Sequence, residues 1–242
     1  DGTVTGVQTC ALPISLKRRH FDGFEIPSYL AVSRIARAVT DVTLLSDAEF
    51  RLAKHLPEGH PRRLMALDRT AAAASLAERP QWALQASWLA YIDAPGEDTL
   101  RRSVDYAIST GDRDCLRFFL IQAQYVIPDD ERRQLAQDYL GEDGNDIVDK
   151  EPSSAGVPAI LMPDNLWPQD TYEPLHLDGA STRISPESWL EDAALLVELA
   201  SLNGDSRLYG EAAALFLLAG ETAAAQGLLG DMQDSTLRAM LQ

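Results

Sequence analysis

The stretch EDTLRRSVDYAISTGDRDCLRFFLIQAQYVIPDD, residues 97–130, decides the fold class. Leu100, Val104 and Ala107 recur at helical spacing, and so do Cys115, Leu116, Phe119, Leu120 and Ala123. Between the two runs stands Gly111-Asp112. Glycine closes a helix because it accepts a left-handed backbone, and aspartate opens the next by accepting from free amide groups. Glu97 and Asp98 suit the positive end of the first helix, and Pro128 ends the second. The stretch therefore reads as a helical hairpin.

The same punctuation recurs outward in both directions. Helix starts are expected near residues 27, 47, 61, 80, 97, 112 and 129, then 187, 206, 221 and 234. Pro27, Pro61, Pro80 and Pro186 fit first-turn positions, and Ser46 to Glu49 has the spacing of a capping box. Alternate starts are separated by 33 (47 to 80), 36 (61 to 97), 32 (80 to 112), 32 (97 to 129) and 34 (187 to 221) residues. A two-helix unit of about 34 residues cannot bury its apolar face alone and stacks on its neighbours.

Between the two sets lies a different composition. Residues 141–186 hold six prolines (152, 158, 163, 168, 174 and 186), and no helical period crosses them. Within this loop VPAILMPDNLW, residues 157–167, is too apolar to remain solvated at low cost. It is expected to dock in extended form on a groove or edge between the helical sets, anchored by Trp167, with Leu161 and Met162 as further contacts, either stapling the sets or occupying the partner site as an internal ligand; the alternative is a disordered linker. Residues 159–162 are the one strand candidate.

Two windows carry a resemblance to tetratricopeptide-like repeats. In 206–239, Tyr209, Ala212, Ala213, Phe216, Ala225, Leu229 and Met232 stand at the large, small and aromatic positions, with Gly220-Glu221 at the turn. In 97–130 the matching residues are Leu100, Val104, Ala107, Leu116, Leu120 and Ala123, with Gly111-Asp112 at the turn and Pro128 at the closing proline. Val104 and Leu116 depart from the pattern, which usually has small residues there. The resemblance implies an all-α fold: antiparallel hairpins stacked as an α-solenoid, interrupted by the proline-rich loop. It also implies a scaffold that holds a peptide or partner protein.

The expected organisation is a foreign leader (1–15), an N-terminal array (16–140), the loop (141–186) and C-terminal hairpins (187–242). The leader is set apart because VTGVQTCALPIS, residues 4–15, resembles a translated sequencing adapter. On that reading the chain is a fragment, its natural N-terminus is missing, and its compartment is open, with the cytoplasm slightly favoured. Few lysines among many arginines and alanines suggest GC-rich, bacterial coding.

Net charge is −16, unevenly spread. Residues 16–150 carry 18 basic and 22 acidic groups; residues 151–242 carry 3 and 14. The acidic second half repels phosphates and argues against nucleic acid. No apolar run approaches the roughly 18 residues that span a membrane. Arginine pairs at 18/19, 62/63, 101/102 and 132/133 are spaced to line one face of a solenoid. Arg101 and Arg132 are thus candidate contacts to an acidic partner.

The chain shows no catalytic signature. There is no phosphate-binding loop, dinucleotide fingerprint or nucleophile elbow. His20, His55, His60 and His176 form no metal-binding spacing. Asp143 to Asp146 lacks the closing glutamate of a calcium loop, and Asp129-Asp130-Glu131 reads as a helix start. Cys10 falls in the leader, and Cys115 sits in an apolar helical pattern as a small core residue. No cofactor, metal or catalytic residue is expected. The main alternative to a binding scaffold is the helical, non-catalytic part of a larger enzyme such as a lytic-transglycosylase-like protein.

Overall fold

The computed structural model describes residues 25–141, 144–152, 155–162, 165–167 and 184–231. The leader, Met232 and the expected last helix from residue 234 lie outside them. The described residues are all-helical, without a strand. Eleven α-helices follow in order among them: α1 (Glu25–Val39), α2 (Val42–His55), α3 (Pro61–Leu76), α4 (Pro80–Asp93), α5 (Glu97–Thr110), α6 (Arg113–Gln122), α7 (Asp129–Leu135), α8 (Asn145–Val148), α9 (Pro186–Asn203), α10 (Ser206–Leu218) and α11 (Thr222–Asp231). Consecutive helices pack on one another, as in a solenoid of hairpins.

The described residues form two compact units, one within residues 42–167 and one of residues 25–41 with 184–231. In the first, α2 to α6 pack in chain order. Their shared core includes Phe50, Leu67, Leu84, Leu100, Leu116, Phe119 and Leu120. In the second, α9, α10 and α11 pack in order, and α1 packs on α9. The chain order that suggested an N-terminal array beginning before residue 40 thus runs across the two units.

The turns follow from local chemistry. Gly111 has φ +66°, and the Asp112 carboxylate accepts the Cys115 amide at 3.0 Å. Gly204 and Gly220 have φ +67° and +88°, and Asp205 accepts the Arg207 amide at 3.0 Å.

The capping box at Ser46 is a misreading. The second helix begins at Val42, and Ser46 lies inside it, donating back to the Thr43 carbonyl at 2.8 Å. Glu49 is buried and takes Arg62 in a two-pronged bond of 2.8 and 3.1 Å, with Arg69 at 3.3 Å. A carboxylate committed to two guanidinium groups is not a cap. The sixth helix also stops early, at Gln122, and a 3-10 turn over Ala123–Tyr125 follows. After α7 the chain winds into a wider π-helical turn, Ala136–Leu140, before Gly141 reverses it.

One helix organises the first unit. Ala83, Leu84, Gln85, Ala86, Ser87, Leu89 and Ala90 of α4 are all buried. A helix that buries residues around most of its circumference must be enclosed on most of it. Two flanks are taken by α3 and α5, where Ser87 and Ser103 approach to 2.5 Å between their hydroxyls. Trp88 packs edge-on against Phe118 and Phe119, with ring centroids at 5.1 and 5.6 Å. The remaining flank is covered by part of the proline-rich loop.

Candidate functional site

That cover is the candidate site. Pro158 has φ −57°, and its carbonyl accepts the Leu161 amide at 2.9 Å, which closes a 3-10 turn over Ala159–Leu161. Asn165 then ties the stretch to itself. Its amide meets the Met162 carbonyl at 2.9 Å, and its side-chain nitrogen donates to the Ala159 carbonyl at 2.7 Å. The expected extended form and strand are therefore replaced by turns. The proline that was expected to keep the chain straight instead presets the first turn.

Four side chains of the stretch pack into the unit, with Ile160 partly buried against its core. Leu161 and Leu166 are 1% and 5% exposed and belong to its core. Burial of each is worth about 1.5–3 kcal/mol. Trp167 is half-buried, its ring 5.5 Å from Phe50 of α2. The Arg63 guanidinium lies 5.5 Å from the Trp167 ring centre. Arg63 is itself fixed, with Nε 2.6 Å from Asp93 and Nη1 donating to the Leu56 carbonyl at 3.1 Å. Trp82 completes this corner, 5.7 Å from Phe50 and edge-on.

Main-chain recognition falls to Gln85. Its amide nitrogen donates to the Asn165 carbonyl at 2.8 Å and to the Ile160 carbonyl at 3.3 Å. These two hydrogen bonds join the stretch to α4. The sequence reading did not single out Gln85. Its signal was an amide in a helix apolar from Trp82 to Ile92 but for Gln85 and Ser87, where a buried donor requires acceptors.

The other sequence candidates fall in different places. Met162 is largely exposed beside the buried Leu161. Arg101 is half-exposed. It pairs with Glu97 and Glu131 at 3.3 and 3.4 Å and donates to the Val126 carbonyl at 3.0 Å. Arg132 is buried, holding the Leu120 carbonyl at 3.1 Å and Asp129 at 2.6 Å. The described arginine pairs do not stand as an open stripe. Arg62, Arg63, Arg102 and Arg133 each meet a carboxylate, of Glu49, Asp93, Asp68 and Asp130 respectively.

The remaining chemistry is structural. His60 caps α3 by accepting the Arg62 amide at 3.1 Å. Asp129 and Asp130 pair with Arg132 and Arg133, and Asn145 accepts from Arg133 at 3.2 Å. Among the described residues no group of three metal-binding side chains converges. Cys115 is fully buried, and desolvation pushes its thiol far above the usual range.

Comparison with family profiles, curated proteins and solved structures returns no match. The site is therefore read from its own geometry. Also among the described residues, no helix is long and apolar enough to cross a membrane.

Proposed function

We propose that this chain is a tetratricopeptide-like scaffold that binds a peptide or a segment of a partner protein. The observation that carries the reading is Gln85, whose one side-chain amide holds two main-chain carbonyls of a non-helical segment. A side chain that grips backbone, beside apolar surface that buries leucine and an aromatic, is how a helical groove takes a peptide without fixing its whole sequence. Recurrent turns at Gly111-Asp112 and Gly220-Glu221 support the repeat reading. The exposed Met162 and the half-exposed Arg101, which keeps its pairs with Glu97 and Glu131, are the proposed contacts of a larger partner. The buried Arg132 serves the fold, holding Leu120 and Asp129. The acidic charge of the chain disfavours nucleic acid as the ligand.

Selection from a random peptide display library on the immobilised full chain tests the proposal. Enriched peptides are expected to lose about tenfold in affinity, roughly 1.4 kcal/mol, on the Gln85→Ala variant. A selection that yields no binder, or binders indifferent to Gln85, overturns it.

A further inference from the structure

Residues 155–167 differ from the helices around them in how they are held. Their described backbone hydrogen bonds close on neighbouring residues: Ala155 on Pro152, Leu161 on Pro158, Met162 on Ala159 and Asn165 on Met162. Attachment to the helices rests on Gln85, on Leu161 and Leu166 in the core, on the partly buried Ala155 and Ile160 packed against it, and on one half-buried tryptophan. Such a segment folds its own main chain and presents a few side chains, as a bound peptide does. Segments held by few contacts also open at lower free energy than the core beneath them.

The receiving surface is more elaborate than a cover requires. Arg63 is clamped by Asp93 and Leu56 before it reaches the tryptophan, so its guanidinium plane is set in advance. Phe50 and Trp82 meet edge-on beside it, which leaves an aromatic corner with a fixed cation. A fixed cation beside aromatic rings favours another aromatic ring. Gln85 reads backbone and is indifferent to side chains. The spacing between anchors is set by Leu161, Leu166 and Trp167.

We infer that residues 158–162 and 165–167 are a built-in occupant of this groove on α2, α3 and α4. The external ligand it stands in for is a turn-forming peptide with two leucine-like residues five positions apart and an aromatic residue directly after the second. This rests on the peptide-binding reading above and adds to it the ligand class and a competitor within the chain. An internal occupant lowers the apparent affinity for an external one by the fraction of time the groove is open.

The test uses a fluorescein-labelled synthetic peptide of residues 155–167 and the full chain. Fluorescence anisotropy is read against the unaltered protein and against a Leu166→Ala/Trp167→Ala variant, whose own segment is weakened. The variant should bind the peptide about tenfold more tightly than the unaltered protein. Replacing the aromatic in the peptide by alanine should cost about tenfold on that variant. Equal binding to both proteins, equal binding of both peptides, or no binding by a variant that keeps its helical circular dichroism overturns the inference. A dimer of the unaltered chain that exchanges the segment between copies overturns it in favour of self-association.

If the variant does not fold, hydrogen exchange on the unaltered protein decides. Excess unlabelled peptide should strip protection from the chain's own residues 155–167, and unchanged protection overturns the inference. Library peptides that bind through Gln85 without competing with the 155–167 peptide would remove this inference and leave the proposed function. No binder in either experiment removes both.

Discussion

Arg34 and Asp192 form a buried ion pair across 158 residues of sequence, with Nη2 2.6 Å and Nε 2.8 Å from the same carboxylate oxygen. Both residues are 3% exposed, and the guanidinium lies 3.9 Å from the Trp189 ring centre. Burial lowers the pKa of Arg34, and Asp192 opposes that shift. Removing one partner leaves the other charge buried and unpaired, which costs about 3–5 kcal/mol. Asp192→Ala should therefore lower the thermal midpoint of the unit that holds α1 and α9 by many degrees. The Arg34→Leu/Asp192→Leu double variant should recover most of that loss. A single variant as stable as the unaltered chain would show that the pair does not join α1 to α9.

Gly144 marks a close approach that sequence reading passed over. A Cβ there would sit 2.4 Å from the Arg133 Cα and 2.8 Å from its Cβ, so α8 and α7 cannot both keep their places. Gly144→Ala should cost about 1–3 kcal/mol in chemical denaturation, the usual range for overpacking. Gly156→Ala meets nothing within 4 Å and serves as the control.

What was legible in the sequence was what neighbouring residues decide. Gly111-Asp112 announces its turn because the left-handed residue and the capping carboxylate are adjacent, and both act within one helical turn. Trp167 and Leu161 stood out because apolar side chains in a proline-rich loop need a place to go. Ser46 and Glu49 misled because their spacing fits a cap equally well inside a helix. Only the distant Arg62 and Arg69 decide that Glu49 faces inward. Gln85 and Asp192 depend on acceptors or donors 80 and 158 positions away, and no local pattern encodes those. The turn over residues 158–162 was missed for a related reason: proline favours an extended chain as readily as the first residue of a turn, and the bonds from Asn165 favour the turn.

Cys115 should be silent toward thiol reagents. Burial comes first in raising its thiol pKa, and the nearby Asp112 charge adds to the shift. The reactive thiolate is therefore negligible at neutral and mildly alkaline pH. Peptide-resolved alkylation with iodoacetamide at pH 8 should leave Cys115 unmodified in the folded chain and modify it fully in denaturant. Equal modification in both would place Cys115 outside the core.

The cap of α10 gives a pH dependence with a definite sign. Asp205 accepts the Arg207 amide at 3.0 Å and pairs with its guanidinium at 2.9 Å. Its hydrogen bonds to the Arg207 side chain, the largest cause, hold the carboxyl below the usual aspartate range. A folded pKa below the unfolded one means that the stabilisation is present in full above the unfolded value, near 4. It fades as pH falls through the depressed value. Asp205→Ala should cost the α9–α11 unit about 1 kcal/mol at pH 7, the usual worth of an N-cap. Thermal melts of the two proteins should converge as pH drops below about 4, where the carboxylate is lost from the unaltered chain as well. A difference that persists undiminished at low pH would show that Asp205 acts through packing and not through its charge.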